Sequence, residues 1–478
     1  MKKRTKIVAT VGPACDTLEK LEALIKAGVN VFRLNFSHGT HGSHLEILQR
    51  IRQASKNTGL LVGIMQDISG PKIRIGELED NFTLHSGDIL EFTTKDIVGV
   101  KVKDGYYRLT INQPEILSKV KIGEYIYLYD GIIRSKVTEI TDGGIKVILE
   151  NDGLLSSKKG VNFPNTKIGI DILTPKDKKD ILWGVHNQVD FMAISFVQSA
   201  DDMKNARALV KSYGGDVRLY AKIEKFDAVE NLDEILEVSD GVMVARGDLG
   251  IEIPYYKVPH VQKTIIKKAN NCSKPVITAT QMLLSMTKND TATRAEISDV
   301  ANAVLDGTDA VMLSEESAIG HNPLLAVQTM VNTIKGAEKY YPYYKISSLP
   351  IHDFADKINE SASALSKGLN FTSILTITSS GNSAKKIARY RPNKPIFAIT
   401  HEEKIARTLT IVWGVIPAFT IEPTNIDDLI VNILKEGVER KILKQNSHYI
   451  VTAGTPTGVS HSTNMIRLIS QDEMNDYF

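Results

Sequence analysis

Two apolar runs that each end in charged residues decide the fold of this sequence: Arg218-Leu219-Tyr220-Ala221-Lys222-Ile223-Glu224 and Gly241-Val242-Met243-Val244-Ala245-Arg246-Gly247-Asp248. Each predicts a buried strand, and residues 228–238 between them show the apolar spacing of a helix. The strand period of two puts Lys222 and Glu224 on one face. If the strands are parallel neighbours, Glu224 and Asp248 meet beside an ammonium group. This arrangement predicts a magnesium site, with Lys222 placed to stabilise developing negative charge.

A simple ion pair at a strand end would also explain Lys222 and Glu224 if they stood alone. The same pattern recurs along the chain, in predicted strands over 5–11, 29–36, 61–67, 189–195, 274–280 and 309–314. Helices are predicted between several of them, including 18–27 and 44–56. Eight such strand–helix units predict an α/β fold of the TIM (β/α)8 barrel type.

Residues 73–161 have a different pattern, with short alternating strands and turn pairs such as Asp104-Gly105. They predict a β-rich insertion after the third barrel strand. We therefore expect a barrel domain over 1–70 and 167–345, a β-rich lid domain over 71–166, and a C-terminal α/β regulatory domain over 346–478.

Polar side chains gather at the predicted carboxyl ends of six barrel strands, where the chemistry of this fold takes place. They are Arg33, Asn35, Ser37, Asp67, Lys222, Glu224, Asp248, Thr280 and Ser314. In the C-terminal region, a further loop opens a predicted helix and has the composition of a phosphate cradle: Thr378-Ser379-Ser380-Gly381-Asn382-Ser383. An ordinary helix cap is the alternative interpretation of that loop.

The composition is that of a soluble globular protein, with 42% hydrophobic and 24% charged residues over 478 positions. A net charge of +2 predicts neither nucleic acid nor an anionic membrane as partner. The two cysteines, Cys15 and Cys272, lie far apart and favour a reducing compartment. We expect a cytoplasmic protein without a cleavable signal or a membrane-spanning helix.

Taken together, these residues resemble the pyruvate kinase family over essentially the whole chain. The matching segments include 5–14, 33–39, 67–74, 158–162, 222–224, 245–250, 279–282 and 293–303. The resemblance implies a glycolytic enzyme that transfers the phosphoryl group of phosphoenolpyruvate to ADP, and it implies a homotetramer with allosteric regulation. It also implies that Glu224 and Asp248 hold Mg²⁺ or Mn²⁺ and that Lys222 stabilises the phosphoryl and enolate charge.

Further site residues follow from the same resemblance. Arg33 is implied to clamp the phosphate, and the amides of Arg246, Gly247 and Asp248 to face the substrate carboxylate. Thr280 and Ser314 are implied to help deliver a proton to the enolate. The residues implied on the nucleotide side are Asn35, Arg74 and Lys159.

Family members that need potassium carry a glutamate where this chain has Lys72. Together with the apolar Ile68 and Ile75, Lys72 resembles the potassium-independent branch. Our hypothesis is that its ammonium replaces a monovalent cation in a pocket formed by Asn35, Ser37, Asp67 and Ile68. The alternative interpretation is that Lys72 is a solvent-exposed residue at a hinge and does not replace a cation.

Two other departures from the family concern Glu315 and the cradle. A small residue usually stands at the position of Glu315, whose carboxylate either perturbs the site or faces solvent. Basic residues that would hold the second phosphate of fructose 1,6-bisphosphate are missing, since the cradle has Asn382 and residues 454–462 contain no lysine or arginine. We expect a phosphorylated effector at residues 378–383, with one phosphate rather than two.

Two other functions fit parts of the pattern. A magnesium-dependent barrel lyase or aldolase acting on 2-oxo acid enolates would share the lysine and the carboxylates, but would not need the lid, Arg74 or Lys159. An effector sensor on an inactive barrel would carry damaged residues at the mouth, and here they are intact.

Overall fold

The chain begins with the predicted strand–helix units. The computed structural model describes residues 3–129, 131–164, 166–167, 169, 171–346, 349–457 and 463–478. Its first elements are β1 (Lys6–Thr10), α1 (Leu18–Ala27), β2 (Val31–Asn35), α2 (His41–Thr58) and β3 (Gly63–Asp67). Helix α1 has the predicted bounds: Thr17 caps its start, and Gly28, with a positive φ, ends it. Helix α2 begins three residues before the predicted start because Thr40 and Ser43 form a capping box.

The insertion after β3 is β-rich, as predicted. Its strands are β4 (Phe82–Leu84), β5 (Ile89–Thr93), β6 (Val100–Lys103), β7 (Tyr106–Leu109), β8 (Tyr125–Leu128), β9 (Ile133–Thr141), β10 (Gly144–Leu149), β11 (Gly153–Leu155) and β12 (Val161–Asn162). Seven of them form one sheet in the order β12-β8-β9-β10-β5-β7-β6. Residues such as Phe92 and Phe163 give this lid a hydrophobic core of its own. Its exact limits, 71–166, stay a prediction.

The barrel pattern then resumes. Its elements are α3 (Pro175–His186), β13 (Phe191–Ile194), α4 (Ala200–Ser212), β14 (Arg218–Ile223), α5 (Phe226–Glu230), α6 (Leu232–Val238), β15 (Gly241–Ala245), α7 (Arg246–Glu252), α8 (Val258–Asn271), β16 (Val276–Ala279), α9 (Arg294–Asp306), β17 (Ala310–Leu313), α10 (Glu315–Ala318) and α11 (Pro323–Glu338).

Two local predictions in this part are wrong. The single helix expected over 228–238 is two helices, α5 and α6, which meet at Asn231. Arg246, Gly247 and Asp248 do not end a strand. The ladder between β15 and β16 stops at the pair Ala245 and Ala279, and the chain turns directly into α7. Those three residues therefore form the first turn of a short helix.

Eight parallel strands close the barrel in the order β1-β17-β16-β15-β14-β13-β3-β2. The carboxyl ends of all eight consequently open at one mouth. The barrel interior is packed with large side chains, among them Met65, Phe191 and Tyr220. Gly241 leaves the space that the Tyr220 ring fills, because a Cβ at this position would lie 2.3 Å from that ring. Over the part of the chain that the structure describes, no helix is long and apolar enough to cross a membrane.

The C-terminal region is an α/β domain, as predicted. Its elements are α12 (Phe354–Gly368), β18 (Ser373–Ile377), α13 (Asn382–Arg389), β19 (Ile396–Thr400), α14 (Glu403–Thr408), β20 (Val415–Thr420), α15 (Ile426–Glu439), β21 (Tyr449–Gly454), β22 (Thr463–Ile469) and α16 (Gln471–Asp476). The sheet order is β20-β19-β18-β21-β22. The buried guanidinium of Arg391 binds Asp309, at the amino end of β17, at 3.2 Å. The domain therefore packs on the base of the barrel, opposite the mouth.

Candidate active site

Lys222 lies at the centre of the barrel mouth, with its side chain 13% exposed. Its Nζ donates to Ser195 Oγ at 2.7 Å. It also lies 3.4 Å from Asp67 Oδ1 and 3.2 Å from Glu224 Oε2. The ammonium is therefore surrounded by oxygen atoms from three neighbouring strand ends.

The charges around Lys222 control its protonation. Burial would lower the pKa of Lys222, but the negative charges of Asp67, Glu224 and Asp248 more than offset this and raise it above its ordinary value. Burial would raise the pKa of Asp67, but Lys222 and Arg33 hold it below its ordinary value. At neutral pH the site therefore contains a fixed ammonium group.

Glu224 is a buried carboxylate whose two oxygens have different partners. Its Oε1 accepts a hydrogen bond from the amide of Phe196 at 2.6 Å, whereas its Oε2 accepts no aligned hydrogen bond from the described residues and lies 3.2 Å from the Lys222 ammonium. Burial raises the pKa of Glu224 to about 7, with Lys222 acting in the opposite direction and Asp248 adding to the rise. A buried carboxylate oxygen without a donor is costly unless a cation or a proton satisfies it.

Asp248 and Glu224 line one cavity of about 220 Å³ between the barrel and the lid, and Asp248 is exposed there. Carboxylate oxygens are the ligands that Mg²⁺ prefers, so these two residues fit a divalent cation. Within the described ranges, no group of three acidic, histidine or cysteine side chains is arranged to hold a metal alone. Substrate or water oxygens would therefore complete the coordination.

Arg33 reaches the mouth from β2. Its Nε pairs with Asp67 Oδ2 at 2.6 Å, and its Nη1 donates to Thr10 Oγ1 at 3.0 Å. Because both contacts hold the guanidinium in a fixed orientation, Arg33 is prepared to bind an anion without first ordering its side chain.

Thr280 and Arg246 form a second group at the mouth. Thr280 Oγ1 accepts from the amide of Gly247 at 2.8 Å. Thr280 and Gln281 both have a positive φ and form a turn. Arg246 Nη2 donates to the Thr280 carbonyl at 2.7 Å, and Arg246 Nη1 pairs with Asp299. The Arg246 side chain therefore holds the Thr280 turn. Of Arg246, the backbone amide alone remains available for the expected contact with the substrate carboxylate.

Ser314 directly follows β17. Its hydroxyl is buried and has no hydrogen-bond partner among the described residues, and its amide donates to Glu316 Oε2 at 2.7 Å. Glu315 is exposed, so of the two interpretations of this carboxylate, the structure favours the one in which it faces solvent.

Arg74, Lys159 and Lys72 lie on the lid side of the same cavity as Glu224 and Asp248. Arg74 donates to the Lys158 carbonyl at 2.9 Å, and the Lys159 ammonium lies 4.0 Å from the centroid of the Tyr129 ring. Lys72 is exposed and makes no ion pair with any residue that the structure describes. The structure thus brings Arg74 and Lys159, two of the three residues expected on the nucleotide side, together with the metal-ligand candidates around one space, whereas Asn35 is not among the described residues that line it.

The expected monovalent-cation pocket combines the ends of β2 and β3. Asn35 Oδ1 accepts from the Ser37 amide at 3.2 Å, and Ile68 is buried with its carbonyl accepting from Ser195 Oγ at 2.6 Å. Asp67 lies in the same group through its pair with Arg33. Whether Lys72 serves this pocket stays a prediction.

The expected effector cradle lies at the start of α13. Gly381 has a φ of 83° and donates its amide to Thr378 Oγ1 at 3.0 Å, which bends the loop into the helix. A cavity of about 60 Å³ lies beside it, and the cradle residues that line it are Thr378, Ser379, Ser380, Asn382 and Ser383. Gly454, at the start of the segment 454–462 that lacks lysine and arginine, also lines this cavity. Residues 458–462 fall outside the described residues.

The sequence prediction assigns no role to the ends of the first and fourth barrel strands, yet both contact the site. Thr10 is the last residue of β1 and holds Arg33, while Ser195 and Phe196 follow β13 and hold Lys222 and Glu224. The barrel rule itself, applied to all eight strand ends rather than six, would have pointed to these residues.

We predict that Glu224→Gln weakens Mn²⁺ binding at least about 30-fold, because it removes the negative charge of a buried carboxylate that faces the proposed cation site. Electron paramagnetic resonance titration of free Mn²⁺ measures the dissociation constant. Glu315→Gln is the matched control, since it neutralises an exposed carboxylate at the same mouth, and should leave Mn²⁺ affinity within about twofold. Equal affinities for Glu224→Gln and the unsubstituted chain would contradict the assignment.

Known proteins match this chain over both its barrel and its C-terminal domain. The sequence pattern of the pyruvate kinase barrel domain matches residues 2–327, and that of the pyruvate kinase alpha/beta domain matches residues 356–469. The chain is 41% identical to a pyruvate kinase of Staphylococcus epidermidis and 40% identical to one of Geobacillus stearothermophilus. In both cases the match covers 98% of this chain and 80% of the relative.

A solved structure gives the same result for the fold. The crystal structure of a pyruvate kinase from Cryptosporidium parvum superposes with a TM-score of 0.91 at 36% identity, and the match covers 98% of this chain and 96% of that one. A barrel with this mouth, lid and C-terminal domain, matched over nearly its full length at these identities, leads to one conclusion: the chain belongs to the pyruvate kinase family.

Proposed function

We propose that this chain transfers the phosphoryl group of phosphoenolpyruvate to ADP, giving pyruvate and ATP. The observation that carries the proposal is the position of Lys222 and Glu224 at the end of β14. The Lys222 ammonium and Glu224 Oε2 form an ion pair at 3.2 Å, and Glu224 lines a cavity that Arg74 and Lys159 share. Phosphoryl transfer needs positioned positive charge rather than a protein nucleophile, and this mouth supplies it.

In the proposed reaction, a terminal β-phosphate oxygen of ADP forms a bond to phosphorus as the bond from phosphorus to the enol oxygen breaks. The electron pair of the broken bond remains on the enolate. Lys222 would stabilise that charge, and Arg33 would hold the phosphoryl oxygens. The enolate then takes a proton at its terminal carbon to give pyruvate. We expect this proton to arrive from the side of Thr280 and Ser314.

Glu224 and Asp248 would hold the divalent cation, Mg²⁺ or Mn²⁺. When bound, it would neutralise part of the negative charge of phosphoenolpyruvate and fix the orientation of its oxygens. The amides of Gly247 and Asp248, in the first turn of α7, would receive the substrate carboxylate. The Thr280 hydroxyl now accepts from the Gly247 amide, so substrate would have to replace it there.

The lid supports phosphoryl transfer over the lyase alternative. Arg74 and Lys159 add two positive charges to the cavity opposite Glu224 and Asp248, which suits the phosphates of ADP. A lyase of 2-oxo acids has no second phosphorylated substrate to bind there. Closure of the lid would also exclude water, which otherwise competes with ADP for the phosphoryl group.

We further propose regulation through the C-terminal cradle, a homotetrameric assembly and a cytoplasmic location, in keeping with the family. The cradle cavity favours an effector with one phosphate. Among the described residues that line it, Lys386 is the one lysine or arginine, and it is paired with Asp353 and Asp356. A second phosphate would therefore meet a cation that is already neutralised.

The first test is pyruvate formation from phosphoenolpyruvate and ADP with Mg²⁺. We expect activity, and we expect Lys222→Met to lower kcat by about 100- to 1,000-fold or more, because it removes a positive charge that stabilises the transition state. Lys204→Met, on the exposed face of α4, is the control and should be unchanged. A folded chain with no activity, or a fully active Lys222→Met variant, would overturn the proposal.

The second test concerns potassium. If the ammonium of Lys72 replaces a monovalent cation, the rate in sodium or tetramethylammonium buffer should lie within about twofold of the rate in potassium. Lys72→Gln should then become stimulated by potassium, whereas Lys95→Gln, at an exposed position of the lid, should not. Near-zero activity of the unsubstituted chain in sodium, restored by potassium, would remove this role of Lys72.

The third test compares fructose 6-phosphate with fructose 1,6-bisphosphate, which differ by one phosphate. We expect isothermal titration of the full chain to show equal or tighter binding of the monophosphate. Ser380→Glu, which puts a negative charge in the cradle, should weaken that binding at least about tenfold. Binding of the bisphosphate alone, with a shift of the phosphoenolpyruvate saturation curve, would contradict the expectation.

A further inference from the structure

The turn after β13 contacts both reactive groups of β14. Strands β13 and β14 pair in parallel up to Ile194 and Ala221, so Ser195 lies alongside Lys222. The Ser195 side chain meets the ammonium of Lys222, and the Phe196 amide meets the carboxylate of Glu224. Two consecutive residues with no assigned role thus hold the two groups on which the proposed reaction depends.

The Ser195 hydroxyl has a fixed orientation. Ser195 is 2% exposed, and its Oγ lies 2.6 Å from the Ile68 carbonyl oxygen, which can only accept. The single hydroxyl proton is therefore directed at Ile68, and the lone pairs of Oγ face the Lys222 ammonium at 2.7 Å. Ser195 is consequently a fixed acceptor for Lys222.

Phe196 fixes the second group. Its backbone has a φ of 58°, an unfavourable conformation for an aromatic residue, and this conformation accompanies the 2.6 Å hydrogen bond from its amide to Glu224 Oε1. Its ring packs against Gly70, where a Cβ would lie 2.5 Å from the ring. The amide thus binds one oxygen of Glu224 and leaves the other, Oε2, facing the Lys222 ammonium at 3.2 Å.

The contacts of Lys222 show what the serine prevents. Of the three oxygen atoms near its ammonium, Ser195 Oγ is the closest, and the other two belong to Asp67 and Glu224. Without the hydroxyl, the ammonium would lose its neutral acceptor, and its ion pairs with the two carboxylates, now 3.4 and 3.2 Å long, would shorten. A tighter pair with Glu224 Oε2 would compete with a divalent cation for that oxygen.

We propose that Ser195 is a positioning residue that limits how closely the Lys222 ammonium approaches Glu224, so that Lys222 faces the reacting phosphoryl group and Glu224 Oε2 can still bind the cation. This inference rests on the proposed function for its kinetic part. The cation-binding part stands on the geometry alone.

The test combines kinetics with cation binding. We expect Ser195→Ala to lower kcat by about 10- to 100-fold, with the KM for phosphoenolpyruvate and for ADP within about threefold, since the lost group orients a catalytic one rather than binding substrate. Ser195→Thr, which keeps the hydroxyl, should recover most of kcat. In electron paramagnetic resonance titrations of free Mn²⁺, Ser195→Ala should bind the ion at least about fivefold more weakly, and Ser195→Thr should match the unsubstituted chain.

Ser366→Ala is the matched control, because Ser366 is also buried and also donates its hydroxyl to a backbone carbonyl, within α12. It should change neither kcat nor Mn²⁺ affinity. If Ser195→Ala does not fold, Ser195→Cys replaces it, since a thiol of similar size is a poor hydrogen-bond partner. Unchanged kcat and unchanged Mn²⁺ affinity in the folded variant would overturn the inference.

The two proposals can fail separately. If the unsubstituted chain is active and Ser195→Ala has the same kcat and the same Mn²⁺ affinity, the role of Ser195 is rejected and phosphoryl transfer stands. No activity of the unsubstituted chain rejects phosphoryl transfer, and the Mn²⁺ titrations then decide the role of Ser195 by themselves.

Discussion

The site depends on the cost of burying an ammonium group at the barrel mouth. Lys222 remains charged there because carboxylates surround it, and Arg33 pairs with one of them, Asp67. Together with Glu224 and Asp248, the group has two cationic and three acidic side chains, and the raised pKa of Glu224 reflects burial that Lys222 only partly offsets. A divalent cation with a phosphorylated substrate fits that shortage of positive charge.

The segment that joins the barrel to the insertion shares contacts with this group. It follows β3, and the amide of its Gly70 donates to the buried carboxylate of Asp177 at 3.2 Å in the first turn of α3. Gly70 also packs on the ring of Phe196, and the Phe196 amide holds Glu224. The start of the insertion is therefore in contact with the residues that orient the proposed cation site.

Much of this arrangement can be predicted from the sequence, because apolar strands and charged strand ends are local patterns. The barrel, the β-rich insertion and the meeting of Lys222 with Glu224 follow from periodicity and the parallel-strand rule. The roles of Ser195 and Phe196 do not, since a serine at a strand end is common and a backbone amide has no sequence signature. The side chain of Arg246 is likewise unpredictable, because its contacts with the Thr280 turn and with Asp299 come from elements distant in sequence.

The role assigned to Glu224 requires that a divalent cation binds between Glu224 Oε2 and Asp248 while Lys222 stays beside them. Anomalous X-ray diffraction from crystals soaked in Mn²⁺ and phosphoenolpyruvate locates that cation. We expect one strong anomalous peak within about 2.0–2.3 Å of Glu224 Oε2 and of an Asp248 oxygen, the range expected for a small hard cation bound by carboxylates. A peak elsewhere in the cavity, or Lys222 in contact with both oxygens of Glu224 and no peak between the carboxylates, would contradict it.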